Sequence, residues 1–338
     1  MNISAYGNEN ILLNGNPKKT FFKAVYNKYT NFGLQRFRVN YKGTRTLNPN
    51  QKSIFDFTIP RFGDLLHDTY LVMKLPDIWS PFYFKDKGGD TKELIPYNFE
   101  WVKDLGATMI EEILITTGGI ELAKFSGEYL SVASHRDLKT EKKALWDKMT
   151  GNVPELYNPS NINGNINVYP NAYFLDNDNI EPSIRGRNLY IPFNCFFCNN
   201  SKASLPLVAL QYQEIQIRII FKPLYDLFTI NNVKDPDMDS TGLSYRIRAN
   251  PNDIDQQLYT FLQPPKTNDG SGYSIPDDGV GNFWNPDVHL ISTFIFLGDN
   301  ERRLLAQGEH RYLIKQVIEH EYLGQTGSKI VNIESRNM

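Results

Sequence analysis

The sequence predicts an all-β protein in which antiparallel strands are joined by long loops, and three observations support this fold class. Phe and Tyr, which favour strands, supply 21 and 19 residues and dominate an aromatic content of 13%. Turn-forming residues, including 23 Gly and 19 Pro, separate short apolar runs. Finally, Ile215, Ile217, Ile219 and Phe221 alternate with polar side chains, which is the period of a half-buried antiparallel strand.

Strands and turns follow one another along most of the chain. A strand, a turn at Asn31-Phe32-Gly33 and a second strand are predicted over residues 20–41. Phe37, Val39 and Tyr41 alternate with polar residues, so one face of the second strand is expected to be exposed to solvent. Further strands are predicted at residues 54–59, 65–75, 109–116, 120–123, 187–197, 215–221 and 289–298.

Two short helices and two long loops interrupt this pattern. Apolar side chains at helical spacing predict a pair of helices within residues 126–151, with Thr140 as an N-cap and Gly151 as a stop signal. Residues 77–103 and 151–187 lack a regular pattern. Loops of this length in a compact domain are usually functional or exposed.

Charge and composition argue against several classes of function. The chain has 36 basic and 38 acidic residues, whereas a nucleic-acid-binding domain depends on a basic excess that neutralises phosphates. Its first residues have neither the basic nor the apolar region of a signal peptide, and no apolar run is long enough to span a bilayer. We therefore expect no direct contact with nucleic acid and folding in a reducing cytoplasm.

No group of residues has the spacing of a catalytic, cofactor or metal site. Cys195 and Cys198 form one C-x-x-C, whereas a zinc site needs four ligands. On the extended strand predicted there, their thiols would point to opposite faces and remain free. His310 and His320 lie among acidic residues without a metal-binding spacing, and neither a phosphate-binding loop nor a nucleophile elbow occurs. We therefore assign no catalytic, cofactor-binding or metal-binding residue, name no cofactor, and predict that the protein is not an enzyme.

Five segments, in the same order, resemble the major capsid proteins of the nucleocytoplasmic large DNA viruses of eukaryotes. They cover nearly the whole chain: NPKKTFFKAVYNKYTNFG at residues 16–33, IPRFGDLLHDTYLVMKLP at 59–76, IEEILITTGGIELAKFSGEYL at 110–130, LYIPFNCFFCNNSKASLPLVALQYQEIQIRIIF at 189–221 and DNERRLLAQGEHRYLIKQV at 299–317. The resemblance implies a double jelly roll, in which two eight-stranded antiparallel sandwiches stand side by side. It also implies a homotrimer of roughly hexagonal outline that tiles an icosahedral shell.

On this resemblance the chain divides into an N-terminal arm at residues 1–19, a first jelly-roll domain at 20–222 and an incomplete second jelly-roll domain at 223–338. The arm resembles the family's segment on the inner side of the shell, near minor capsid proteins or an internal viral membrane. The other implied partners are two further copies of the chain, neighbouring capsomers and penton proteins. The implied location is the virion capsid, with assembly in the host cytoplasm.

The last residues depart from this resemblance. The family continues with further strands after the segment IVNIES, whereas this chain ends at Met338, so the second sandwich is expected to be truncated. A natural, intron-derived or artificial end would each produce this pattern. Half a sandwich would leave unpaired strand edges and an exposed apolar face. We therefore expect residues 223–338 to be completed by another polypeptide or to be less stable than the first domain.

Two other functions remain open. A virion surface protein that binds cells or glycans on the same β scaffold would need a shallow aromatic site in its outer loops. Trp79, Phe82, Tyr83 and Phe84 are the candidates for that site. An enzyme of the jelly-roll architecture, such as a metal-dependent cupin, would need clustered His and carboxylate ligands, and the sequence offers no such cluster.

Overall fold

The computed structural model describes residues 30–43, 46–86, 92–162, 164–172, 181–210, 212–234, 245–264, 284–312, 314, 317–320 and 326–327. Its strands are β1 (Phe32–Val39), β2 (Ser53–Thr58), β3 (Leu65–Lys74), β4 (Phe82–Asp86), β5 (Lys92–Pro96), β6 (Glu100–Trp101), β7 (Ile110–Thr117), β8 (Ile120–Phe125), β9 (Asn188–Pro192), β10 (Leu205–Pro206), β11 (Ile215–Phe221), β12 (Phe228–Asn231), β13 (Arg246–Arg248) and β14 (His289–Leu297). Its α-helices are α1 (Leu105–Thr108), α2 (Gly127–Asp137), α3 (Thr140–Thr150), α4 (Pro154–Tyr157), α5 (Phe196–Asn199) and α6 (Asp299–Gln307).

Eight of these strands form two antiparallel four-stranded sheets. The first sheet has the order β1-β14-β3-β9, with the short β10 pairing with the start of β3, and the second has the order β2-β11-β7-β8. Numbered along the chain, the eight strands have the orders 1-8-3-6 and 2-7-4-5. This is the connectivity of a jelly roll, a sandwich of two Greek keys. The predicted all-β class is therefore confirmed.

Alternating side chains place the core between the two sheets. In β2, Phe55 and Phe57 are buried, whereas Ile54 and Asp56, which alternate with them, are exposed. Strand β11 shows the predicted alternation, with the four predicted apolar residues inward and Gln216 and Arg218 outward. The rings of Phe55 and Phe221 meet edge to face at a centroid distance of 5.3 Å. Such pairs add to the stability that burial alone provides.

Strand β14 lies in the middle of the first sheet, which corrects the predicted domain division. It pairs with β1 from Phe32↔Leu297 to Val39↔Leu290 and with β3 on its other side. The boundary at residue 222 assigns β14 to the second domain, whereas the structure places it in the first jelly roll. The physical reason is that β1 and β3 run in the same direction, and an antiparallel strand between them pairs the inner backbone groups of both.

The start of β1 corrects a second prediction. Phe32 and Gly33, expected in a turn, are the first residues of β1 and pair with the end of β14. Long-range pairing overrides the local turn preference of Asn and Gly at this point. The predicted arm at residues 1–19 and the strand before Asn31 lie outside the described residues. Within the expected second domain, residues 235–244 and 265–283 and most residues after Tyr312, including the IVNIES segment, lie outside them as well.

The predicted pair of helices is present as α2 and α3. Ser126 caps α2, since its Oγ accepts a hydrogen bond of 3.1 Å from the backbone N–H of Tyr129. Gly151 ends α3 at a φ of 79°, in the left-handed conformation that glycine adopts without strain. The predicted N-cap at Thr140 is wrong by one residue, because Thr140 is already helical and Lys139 precedes it without a side-chain cap.

Asp64 joins helix α6 to the end of the sandwich. Its side chain is 11% exposed and accepts hydrogen bonds from the backbone N–H of Leu297 at 2.7 Å and from Nε of Arg302 at 2.8 Å. The Asp64 backbone N–H donates to the carbonyl of Ile295 at 2.9 Å. One residue of the β2–β3 turn therefore holds both the end of β14 and the start of α6.

Replacing Asp64 with Ala is expected to lower the free energy of unfolding by about 1–3 kcal/mol, because the Leu297 N–H and the Arg302 guanidinium lose their acceptor. Arg302→Gln is expected to cost about 1 kcal/mol or less, since Arg302 is 44% exposed and water replaces its partner. Urea denaturation measures both. Asp299→Ala is the control because that side chain is 83% exposed. Equal values for Asp64→Ala and Asp299→Ala would contradict the role of Asp64.

Candidate assembly surface

Three long connections gather at one end of the sandwich. Successive strands of the jelly roll run in opposite directions, so alternate connections meet at the same end. The connections at residues 75–109, 126–187 and 222–288 lie at this end, whereas the β2–β3 and β7–β8 links at the other end are short. The described residues of these three connections are called the crown.

Backbone hydrogen bonds join the three connections to one another. Strand β12 of the third connection pairs with β6 of the first, and β13 extends this small sheet. Ile78 of the first connection and Ile184 of the second exchange two bonds of 2.9 and 3.1 Å. The N–H of Trp79 donates to the carbonyl of Phe261 in the third connection at 2.9 Å. The crown is therefore a packed layer rather than three separate loops.

An aromatic cluster fills the interior of the crown. Phe99 is fully buried and lies 4.7 Å from Phe228, 5.1 Å from Trp101 and 5.2 Å from Phe261, measured between ring centroids. Phe99 and Trp101 come from the first connection, and Phe228 and Phe261 come from the third. Buried aromatic rings supply a large apolar area, so this cluster packs the first and third connections against each other.

Buried polar groups attach the second connection to this cluster. The hydroxyl of Tyr169 donates to the carbonyl of Phe99 at 2.6 Å. Burial raises the pKa of Tyr169 well above its usual range, so the hydroxyl stays protonated and remains a donor. The hydroxyl of Ser80 accepts from the N–H of Phe99 at 3.1 Å, and the hydroxyl of Ser183 accepts from the N–H of Ser80 at 3.0 Å. All three connections therefore meet around Phe99.

Arg246 links the first and third connections with its guanidinium group. It donates to the carbonyls of Asn98 and Thr229 at 2.8 and 2.9 Å and lies 3.2 Å from a carboxylate oxygen of Glu100. Burial lowers the pKa of Arg246 and raises the pKa of Glu100, so the loss of hydration outweighs their mutual attraction. Arg246 therefore joins the two connections mainly through its hydrogen bonds to the carbonyls of Asn98 and Thr229, rather than through its ion pair with Glu100.

The second connection also carries exposed apolar side chains. Val132 on α2 is 61% exposed and Leu145 on α3 is 62% exposed. Ile166 and Val168, in the irregular segment after α4, are 80% and 59% exposed. Single exposed apolar residues are common, but four in one connection are candidates for contact with a partner. These four residues are called the apolar crown surface.

Three of the four candidate glycan-binding rings are partly buried in the crown. Trp79, Phe82 and Tyr83 are half-buried, and the side chain of Phe84 lies outside the described residues. Tyr83 meets Tyr97 edge to face at 6.3 Å, while Tyr97 packs on Phe261. Tyr83 therefore packs within the crown, and the rings of Trp79 and Phe82 are only partly accessible to solvent.

Cys195 and Cys198 lie side by side, which corrects the prediction that their thiols point to opposite faces. The chain leaves β9 at Pro192 and forms the helical turn α5 rather than continuing as a strand. Their Sγ atoms are 2.9 Å apart. Both thiols are free, and within the described ranges no three His, Cys, Asp or Glu side chains group as metal ligands.

The remaining predicted features are spread over the surface. His310 Nε2 lies 2.5 Å from the carbonyl of Leu305, and His320 lies beside Glu319, whose carboxylate accepts from the hydroxyl of Ser126 at 2.6 Å. Gly118 and Gly119 form the β7–β8 turn with φ values of 54° and 83°. None of the helices in the described part of the chain has the length and apolar character needed to cross a membrane.

Sequence reasoning missed the crown, although its signal was present. The segment IPYNFEW at residues 95–101 carries apolar residues at every second position, from Ile95 to Trp101. This period predicts a buried extended segment within residues 77–103, the range predicted as a long loop. The position of Arg246 had no such signal, because its acceptors at Asn98 and Thr229 come from distant parts of the chain.

Comparisons with known proteins agree with this fold. The family described as "Major capsid protein N-terminus" matches residues 20–253, more than half of the chain. Probable capsid protein 4 of Acanthamoeba polyphaga mimivirus is 31% identical over 379 aligned residues, covering 97% of this chain and 68% of the relative. The major capsid protein of Chrysochromulina ericina virus is 26% identical, covering 98% of this chain and 54% of the relative.

Two solved structures share the fold. The PBCV-1 virus capsid has a TM-score of 0.50 at 18% identity, covering 88% of this chain and 50% of the solved chain. The Faustovirus major capsid protein has a TM-score of 0.51 at 12% identity, covering 84% of this chain and 57% of the solved chain. These solved relatives are double jelly-roll capsid proteins, and residues 32–297 supply one complete jelly roll of that fold.

This chain spans about half the length of several relatives, including 43% of capsid protein 1 of Acanthamoeba polyphaga mimivirus, which is 28% identical over 94% of this chain. The family match, the similar capsid proteins and the fold all agree with the resemblance seen in the sequence. The chain belongs to the family of major capsid proteins of the nucleocytoplasmic large DNA viruses.

Proposed function

We propose that this chain is a structural subunit of the icosahedral shell of a large double-stranded DNA virus and that it acts by assembly rather than catalysis. The observation that carries this proposal is the complete jelly roll whose three long connections are joined into one packed crown. A shell subunit must present the same surface in every copy. Backbone pairing among the connections and the aromatic cluster around Phe99 hold the crown in one conformation, so each copy presents the same surface.

Three copies form the assembly unit in this proposal, a homotrimer of pseudo-hexagonal outline. Its partners are neighbouring capsomers, minor capsid proteins and penton proteins, with residues 1–19 on the inner side near an internal viral membrane. The protein works in the virion capsid after assembly in the host cytoplasm. The net charge of −2 supports an assembly without direct contact with nucleic acid.

The apolar crown surface is the part of the described chain best suited to contact another copy. Its four side chains are apolar and belong to one connection that is held in place by Tyr169. Obligate oligomers bury large apolar interfaces. A symmetric trimer would bury the same four side chains in each copy, so one altered site removes three contacts.

The mass in solution, measured by light scattering after size exclusion, tests the proposal. The unchanged chain is expected to have three times the mass of its 39.0 kDa monomer. The double variant Ile166→Asp with Val168→Asp is expected to be monomeric, because burying six carboxylates in one trimer is costly. Tyr212→Asp is the matched control, since Tyr212 is 98% exposed and lies near the opposite end of the sandwich.

Two results would count against the proposal. A monomer for the unchanged chain at micromolar concentration would contradict self-assembly of this chain. If both the double variant and the control are trimeric, the chain assembles as proposed but through contacts outside the apolar crown surface. Circular dichroism of each variant separates a lost contact from a lost fold.

A further inference from the structure

The two cysteines occupy a tight turn that the assembly function does not use. Cys195 precedes α5, and the backbone N–H groups of Cys198 and Asn199 both donate to the carbonyl of Cys195, at 3.1 and 3.2 Å. This helical turn brings residues three apart to the same side of the chain. The Sγ–Sγ distance of 2.9 Å is the result.

The turn is fixed on the first sheet rather than lying free on the surface. The carbonyl of Phe197 lies 2.9 Å from Nδ1 of His67 on β3, and the N–H of Phe193 donates to the carbonyl of Thr69 at 3.1 Å. Phe197 is fully buried. The thiols are therefore held together by the surrounding fold, as a preformed disulfide site requires.

We propose that Cys195 and Cys198 are a modification site that closes to an internal disulfide by exchange with a small dialkyl disulfide such as oxidised glutathione. The pair differs from a structural metal site, because the described residues supply no further ligands around it. It also differs from two unrelated core cysteines, whose sulfur atoms need not meet. The reduced thiols and the closed disulfide are the two states of the site.

The exchange proceeds in two steps. Cys198 is half-buried whereas Cys195 is buried, so Cys198 is the residue that the small disulfide reaches. The Cys198 thiolate attacks one sulfur of oxidised glutathione, forms a mixed disulfide and releases one glutathione thiolate. The Cys195 thiolate then attacks Sγ of Cys198 and displaces the second. The protein thiols lose two electrons and two protons, and oxidised glutathione is reduced to two molecules of glutathione.

Burial of the thiols affects both the rate at which the disulfide forms and the rate at which it is reduced. Burial and the neighbouring Cys195 raise the pKa of the Cys198 thiol, so its thiolate is scarce at neutral pH and closure is slow. The same high pKa makes Cys198 a poor leaving group during reduction. A disulfide formed at this site is therefore expected to open slowly once made.

Equilibration of the full chain in mixtures of reduced and oxidised glutathione tests the proposal. After acid quenching, unfolding and alkylation, intact mass gives the fraction that carries the internal disulfide. At half closure, the squared concentration of reduced glutathione divided by the concentration of oxidised glutathione equals the equilibrium constant for closing the disulfide. This constant is expected to be at least about tenfold higher for the folded chain than for the chain in concentrated urea, because the fold holds the thiols together. An equal or lower constant for the folded chain would overturn the proposal.

Single serine variants trap the intermediate and provide a second readout. Cys195→Ser is expected to retain one glutathione on Cys198, whereas Cys198→Ser is expected to remain largely unmodified because Cys195 is buried. Circular dichroism checks that both variants fold. If the unchanged chain accumulates the glutathione adduct as stably as Cys195→Ser does, Cys195 does not resolve it and the internal disulfide is excluded.

Discussion

A chain shortened to residues 1–222 is expected to lose cooperative unfolding, whereas a chain of residues 1–312 is expected to keep it. The shorter chain lacks β14, the strand between β1 and β3. It loses the fully buried side chains of Leu290 and Phe294. Removing side chains of this kind costs about 2–5 kcal/mol each, and a whole domain is stable by only about 5–15 kcal/mol. The unpaired inner edges of β1 and β3 add to this loss.

Thermal unfolding followed by circular dichroism, together with limited proteolysis, measures this effect. The chain of residues 1–312 is the matched control because it retains β14, helix α6 and the contact of Tyr312 with Ser204. A cooperative transition in the 1–222 chain at the temperature of the longer chain would show that the first jelly roll is complete without β14. That result would restore the domain boundary predicted from the sequence.

Phe99→Ala is expected to have the largest effect of any single substitution in the crown, a loss of about 3–5 kcal/mol in the free energy of unfolding. Phe99 is fully buried and contacts Trp101, Phe228 and Phe261. Alanine leaves a cavity at the point where the three connections meet. The carbonyl of Phe99 also accepts from Tyr169, so movement of the backbone there would loosen the second connection.

Urea denaturation gives the free energy, and hydrogen exchange of the crown amides shows where the structure loosens. Tyr245→Ala is the control, since Tyr245 is a crown aromatic residue with 58% exposure and is expected to cost about 0.5 kcal/mol or less. A loss below about 1 kcal/mol for Phe99→Ala would mean that the backbone pairing of β6 with β12 holds the crown without the aromatic cluster.

The local patterns of the sequence determined the class of the fold and much of its outline. Alternation in β11 and in the second half of β1 predicted which side chains are inward, because successive side chains of a strand point to opposite faces. Helical spacing and Gly151 predicted α2 and α3 in the same way. The order of five segments indicated the family. Each of these signals depends on neighbours in the chain.

Only the tertiary structure decided which elements meet. The pairing of Phe32 with Leu297 joins residues far apart in the sequence, and periodicity identifies a buried face without naming the strand that covers it. For this reason the sequence alone predicts β14 in the second sandwich and separate loops in place of the crown, whereas β14 pairs with β1 and β3. The cysteine turn shows the converse case. The apolar run after Leu189 has strand propensity, yet the chain turns at Pro192 and anchors Phe197 on β3. Packing against a distant element therefore overrode local preference and brought the two thiols together.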